Sequence, residues 1–160
     1  MMQEGLPPVR RYATWLAVVR IYAGAFWLIH GILKIAGGSF AGPGGAMTRM
    51  VGGFAARTTG PYHAFLTGVV LTHATLFGGL VEWGETLAGV SLLLGLFTRL
   101  GGVVGIFLAL NYWLAKGAYA APGDYTAYEI VAAVLSAINV VLPTGRFLGL
   151  DAALGTRRRR

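Results

Sequence analysis

Arg20-Ile21-Tyr22-Ala23-Gly24-Ala25-Phe26-Trp27-Leu28-Ile29-His30-Gly31-Ile32-Leu33-Lys34 decides how this chain is read. Arg20, His30 and Lys34 interrupt a run that is otherwise almost wholly apolar, and the run sits inside a longer apolar segment, residues 13–36. About 20 such residues span a bilayer as a helix. A charged side chain at the bilayer centre costs about 2.5 to 3.5 kcal/mol on insertion scales, so those that occur there usually face protein, water or a ligand. Working outward, three more segments have the same character: residues 76–97 with Glu82 and Glu85, residues 100–115, and residues 125–142 with Glu129. The expectation is an all-α integral membrane four-helix bundle forming a single domain over residues 1–160.

Composition agrees with that class. Hydrophobic residues make up 56% of the chain, charged residues only 12%, and mean hydropathy is +0.65, whereas soluble domains carry about 25% charged residues. The first segment is too long and too interrupted by charge for a signal peptide, so a retained N-terminus is expected. Cysteine is absent, which excludes disulfides, thiol nucleophiles, cysteine-ligated clusters and covalent haem attachment through this chain. The net charge of +7 does not imply nucleic acid, because four of the 13 basic residues form the terminal run 157–160, which suits anionic lipid headgroups. With four spans, one side of the membrane receives Arg10, Arg11, Arg99, Arg146 and that terminal run, and the other receives Lys34, Arg49, Arg57 and Lys116. The positive-inside rule then places both termini in the cytoplasm, in the inner membrane of a prokaryote.

The one long connection follows the first span. It begins with a glycine-rich stretch from Gly37 to Gly45 that cannot be regular helix. Met47, Met50, Val51 and Phe54 then recur at helical spacing, which predicts a short amphipathic helix ending at Gly60-Pro61. Residues 64–80 are apolar enough for a fifth span, but His63, Thr67, Thr72, His73 and Thr75 lie in or beside the segment, and a fifth span would put the arginine tail outside. An interfacial or re-entrant helix fits better.

Antiparallel spans bring distant positions to one depth. The outer half collects His30 and Lys34 from the end of the first span, Glu82 and Glu85 from the start of the second, Asn111 from the end of the third and Glu129 from the start of the fourth. His30 and Lys34 are four apart and Glu82 and Glu85 three apart, so each pair shares a helix face. A polar pocket is expected there, able to exchange protons with a quinone headgroup whose tail stays in lipid. The plainer reading of any single residue is an interhelical tie, Glu82 or Glu85 with Lys34 or His30. Arg20 and Asn139 in the inner half are expected to be structural, Arg20 reaching the headgroups or meeting Asn139, and Arg99 and Arg146 to be interfacial. His63 and His73 lack metal-ligand spacing, and no metal is expected. Tyr112, Trp113, Tyr119, Tyr125 and Tyr128 read as an aromatic belt, and Gly101 and Gly105 as a close-packing motif. No phosphate loop, zinc-protease motif or nucleophile elbow occurs.

Three stretches carry a family resemblance: Arg20 to Lys34 with Gly24 and Gly31, Glu85 to Leu100 with Gly89, Gly95 and Arg99, and Gly145-Arg146 followed by Gly149 and Asp151. In these the chain resembles the DoxX-like membrane proteins, which include the DoxD small subunit of thiosulfate:quinone oxidoreductase. The resemblance implies a four-helix bundle in which Arg20, Gly31, Lys34, Glu85, Gly89, Gly95 and Arg99 occupy the family positions. It also implies a small membrane subunit attached to an oxidoreductase, with quinone as electron acceptor, membrane lipids and other subunits as partners, and no catalysis by this chain alone. The long glycine-rich loop and the arginine tail depart from the family pattern. A purely structural or assembly subunit and a small transporter are the alternative functions.

Overall fold

The computed structural model describes residues 9–117 and 127–157, and every regular element among them is helical. In chain order these are α1 (Val9–Ala36), α2 (Ala46–Ala55), α3 (Gly60–Phe65) continuing into a π turn (Leu66–Val70), α4 (Ala74–Leu94), α5 (Thr98–Ala115), α6 (Tyr128–Val141), a 3-10 turn (Thr144–Arg146) and α7 (Leu150–Arg157). The long helices pack in a closed cycle, α1 on α4, α4 on α5, α5 on α6 and α6 back on α1. Ala23, Trp27, Leu92, Leu108, Ala109 and Ala132 form the buried centre.

Small residues set the approach of the two tightest pairs. A Cβ on Gly89 would collide with the backbone of Leu28, so α1 and α4 touch backbone to backbone there. A Cβ on Gly102 would lie 2.7 Å from the carbonyl oxygen of Ser136, which fixes α5 against α6 in the same way. Packing of this kind supplies helix association where lipid removes the hydrophobic drive. Large apolar side chains face outward from all four helices, among them Trp15, Leu33, Leu87, Phe107 and Val134, as expected of a surface solvated by lipid rather than water. Among the described residues two helices are long and apolar enough to cross a membrane, Tyr12–Ala36 and Thr98–Ala115, and α3 with the π turn and α4 passes the same test only as a bent pair. α6 is apolar but only 14 residues long, and residues 125 and 126 of the expected fourth span lie outside the described residues, as do Tyr119 and the terminal arginines 158–160.

The expected ends of the spans shift by one to four residues, α1 beginning at Val9, α4 at Ala74 and α6 running from Tyr128 to Val141. The second span stops at Leu94 rather than 97, because Gly95 takes a left-handed conformation with φ of 65° and caps α4. Thr98 then opens α5 two residues earlier than expected. Residues 64–80 are not a straight fifth span: the chain breaks between the π turn and α4 and bends by 102°. α2 is amphipathic as its spacing predicts, burying Met47, Val51 and Ala55. With the bent arm formed by α3 and the π turn it encloses a second apolar cluster that includes Phe40, Leu66 and Val70.

Candidate functional site

The C-terminal ends of α1 and α5 and the N-terminal ends of α4 and α6 lie at one end of the bundle, and there the intramembrane charges pair. Lys34 Nζ donates to Glu85 Oε2 at 2.5 Å, joining α1 to α4. The Glu85 side chain is 1% exposed and that of Lys34 17%, so this pair is shielded from solvent screening. Tyr112 of α5 donates its hydroxyl to the other oxygen, Glu85 Oε1, at 2.9 Å. A second group of the same composition stands across α5 and α6. Lys116 pairs with Glu129, donates to the Tyr128 hydroxyl at 3.0 Å and sits 4.2 Å from the centroid of the Tyr128 ring. Burial alone would lower the pKa of the Lys116 ammonium, but its hydrogen bonds to Glu129 and Tyr128 outweigh that and hold it above the ordinary lysine value.

Between the two Lys–Glu–Tyr groups lies a cavity of about 120 Å³, lined by Trp27, His30, Lys34, Glu85, Tyr112 and Glu129 among others. The two glutamates share a local pattern, Glu85 with Ala88 and Glu129 with Ala132. All four side chains are buried, so each glutamate lies on the core face of its helix, with a small residue one turn further on. Trp27 is fixed edge-on to Phe26 and donates its indole N–H to Ser136 Oγ at 3.0 Å. His30 is exposed at the cavity edge, its ring 4.4 Å from that of Phe26. Its Nδ1 lies 2.8 Å from the Phe26 carbonyl oxygen, an acceptor that assigns the proton to Nδ1 and leaves Nε2 as the basic nitrogen.

Of the residues expected to form one pocket, His30, Lys34, Glu85 and Glu129 come together and two do not. Glu82 is half-buried, lines neither this cavity nor its neighbour, and has no side-chain partner among the described residues. Three residues along a helix turn it about 60° away from Glu85, since 3.6 residues make a turn. Asn111 donates to the Phe107 carbonyl at 2.8 Å and accepts from the Tyr62 hydroxyl at 3.4 Å, inside an adjacent apolar groove. Tyr112 and Tyr128 are part of the polar site and not merely an aromatic belt. Their signal in the sequence is proximity: Tyr112 lies one turn before Lys116, and Tyr128 adjoins Glu129.

At the opposite end the buried polar side chains are tied to backbone and to one another. Arg20 is fully buried and does not reach a headgroup region or Asn139. It donates instead to the carbonyl oxygens of Leu92 at 3.0 Å and Leu93 at 3.4 Å in the last turn of α4 and of Leu148 at 2.9 Å before α7, tying the end of α4 to the C-terminal segment. Asn139 pairs with Thr144, whose hydroxyl donates to Asn139 Oδ1 at 2.7 Å. Asp151 of α7 accepts from the backbone N–H of Phe97 at 2.8 Å and of Thr98 at 3.2 Å, and from the Thr98 hydroxyl at 2.9 Å. It thereby caps α5 and holds Phe97 in a left-handed conformation. Arg99 and Arg146 are exposed.

A family model described as TQO small subunit DoxD matches residues 15–159, nearly the whole chain. No curated protein and no solved structure matches.

Proposed function

The chain belongs to the DoxD family, and from that membership we propose that it is a small membrane subunit of a quinone-linked oxidoreductase, with the polar cavity receiving the quinone ring. The observation that carries this reading is the pairing of ring-sized space with two proton-bearing groups. An engineered apolar cavity of about 150 Å³ admits benzene, and this one measures about 120 Å³. Trp27 and Tyr112 offer aromatic faces against which a ring packs.

Reduction of a quinone to a quinol adds two electrons and two protons, one proton to each carbonyl oxygen. The electrons come from the redox group of a partner subunit. Lys34 and Tyr112, whose hydroxyl turns from Glu85 to do so, face one oxygen, and Tyr128, held by Lys116 from outside the cavity lining, faces the other; each donor stabilises negative charge as it develops there. Glu85 and Glu129 balance those cations in the resting site and receive protons in turn, with His30 at the cavity edge as the route of supply. Arg10 and Arg11 at the start of α1, Arg99 at the start of α5 and Arg146 in the 3-10 turn share the other end of the bundle, so we place that end and both termini in the cytoplasm of a prokaryotic cell and the cavity near the outer leaflet.

The test is quinone reduction by the assembled complex carrying Glu85→Gln or His30→Ala. Both variants are expected to lower turnover with the complex intact, and unchanged turnover in both removes the reading. A second reading, an assembly subunit, is favoured by the close ties themselves, since Lys34 and Glu85 join two helices whether or not a ligand binds. It predicts that loss of the chain weakens the complex while single polar substitutions act only through stability.

A further inference from the structure

We infer that the apolar groove beside the polar cavity holds the isoprenoid chain of the quinone, an assignment that rests on the quinone reading above. The groove measures about 340 Å³ and runs between α2, the bent arm, α4 and α5. Its polar side chains are Tyr62, Asn111 and Tyr112, and each is already engaged: the Tyr62 hydroxyl with Asn111, Asn111 Nδ2 with the Phe107 carbonyl, and the Tyr112 hydroxyl with Glu85. Such a lining offers a polar ligand little beyond the second Nδ2–H of Asn111 and suits a hydrocarbon.

Two observations identify which hydrocarbon. Met50 and Tyr112 line both the groove and the polar cavity, so the two spaces adjoin across these two side chains, and one molecule with a polar ring and an apolar tail reaches both when the flexible Met50 side chain turns aside. Leu80 and Phe107, at the rim, are 59% and 65% exposed on the outer surface of the bundle, which opens the groove to lipid and lets a chain enter sideways. Met50 comes from the amphipathic helix α2, and methionine adapts its shape readily to a flexible neighbour. This gives the long first connection a role: α2 and the bent arm roof the tail.

Gly84 provides a clean test, because a Cβ added there would meet only the Leu108 side chain, at 3.7 Å and 3.9 Å, which is ordinary contact. Gly84 lines the groove, so a side chain that starts there without a backbone clash at its Cβ takes up groove space. The purified chain in detergent is titrated with a dimethoxybenzoquinone lacking a tail and with the same ring carrying a ten-carbon chain, for the native sequence and for Gly84→Phe. Using both proteins in one detergent cancels partition of the chain into micelles. The native protein is expected to favour the tailed quinone over the tailless one by at least about tenfold more than Gly84→Phe does, since only a few buried methylenes are needed for that factor. The variant should bind the tailless ring as the native protein does. A variant that weakens both quinones alike, or neither, overturns the groove assignment. Failure of both quinones to bind the native protein overturns the quinone reading itself, and the groove with it.

Discussion

The Tyr112 hydroxyl donates to Glu85 Oε1 at 2.9 Å while Lys34 occupies the other carboxylate oxygen at 2.5 Å, so a buried acid on α4 is held from α1 and α5 at once. Tyr112→Phe removes one donor and leaves the ring in place. It is expected to destabilise the protein by about 1.5 to 3 kcal/mol, the usual worth of a hydrogen bond to a charged group, and to lower quinone turnover by about two orders of magnitude if that hydroxyl delivers a proton. Thermal unfolding in detergent and steady-state turnover check the two effects separately.

Lys34→Met leaves the Glu85 carboxylate buried without its cation, and breaking such a pair costs about 3 to 5 kcal/mol. The double variant Lys34→Met with Glu85→Leu is expected to regain most of that stability, because a pair of apolar residues in place of a buried ion pair is often neutral. Turnover should stay lost in the double variant. Recovery of turnover together with stability would make the pair a helix tie and nothing more.

Asp151→Ala removes the cap that reaches from α7 to the first turn of α5. A loss of about 1 kcal/mol is expected, and Asp151→Asn should recover only part of it, because both carboxylate oxygens accept from the chain at Phe97 and Thr98 and an amide keeps only one acceptor. Because Asp151 lies at the far end of the bundle from the cavity, tailless quinone affinity should not change in either variant. Denaturation and quinone titration on the same preparations give both numbers.

Gly84 and Gly89 lie on one helix and should respond with opposite sign. Gly89→Ala drives a methyl group into the backbone of Leu28 and is expected to cost about 1 to 3 kcal/mol by forcing α1 from α4. Gly84→Ala meets only ordinary contact and should gain about 0.5 to 1 kcal/mol from better helix propensity. Melting temperatures of the two variants beside the native protein check the prediction.

The bundle was legible in the sequence because apolar length is a strong signal: lipid demands it, and 13–36 and 100–115 needed only small corrections at their ends. The clustering of His30, Lys34, Glu85 and Glu129 followed from antiparallel depth alone. What depth does not carry is rotation about the helix axis, and that is why Glu82 and Asn111 were placed with the others and are not. Tyr112 and Tyr128 were hidden for a related reason: tyrosine near a span end serves a membrane belt equally well, and only the facing carboxylates distinguish the two roles. Arg20 likewise has no sequence signature for its acceptors, because they are backbone carbonyls of Leu92, Leu93 and Leu148. The bend needed the third dimension, since residues 64–80 are continuous in hydropathy and break only at the π turn and the residues after it.

The most direct measurement is photolabelling of the intact chain with an azido-substituted benzoquinone, followed by peptide mapping by mass spectrometry. The account predicts covalent attachment on residues that line the polar cavity, Trp27, His30 and Tyr112, with loss of that labelling when unmodified quinone is added in excess. Labelling confined to outward-facing positions such as Trp15 and Trp83, with no competition, would contradict it.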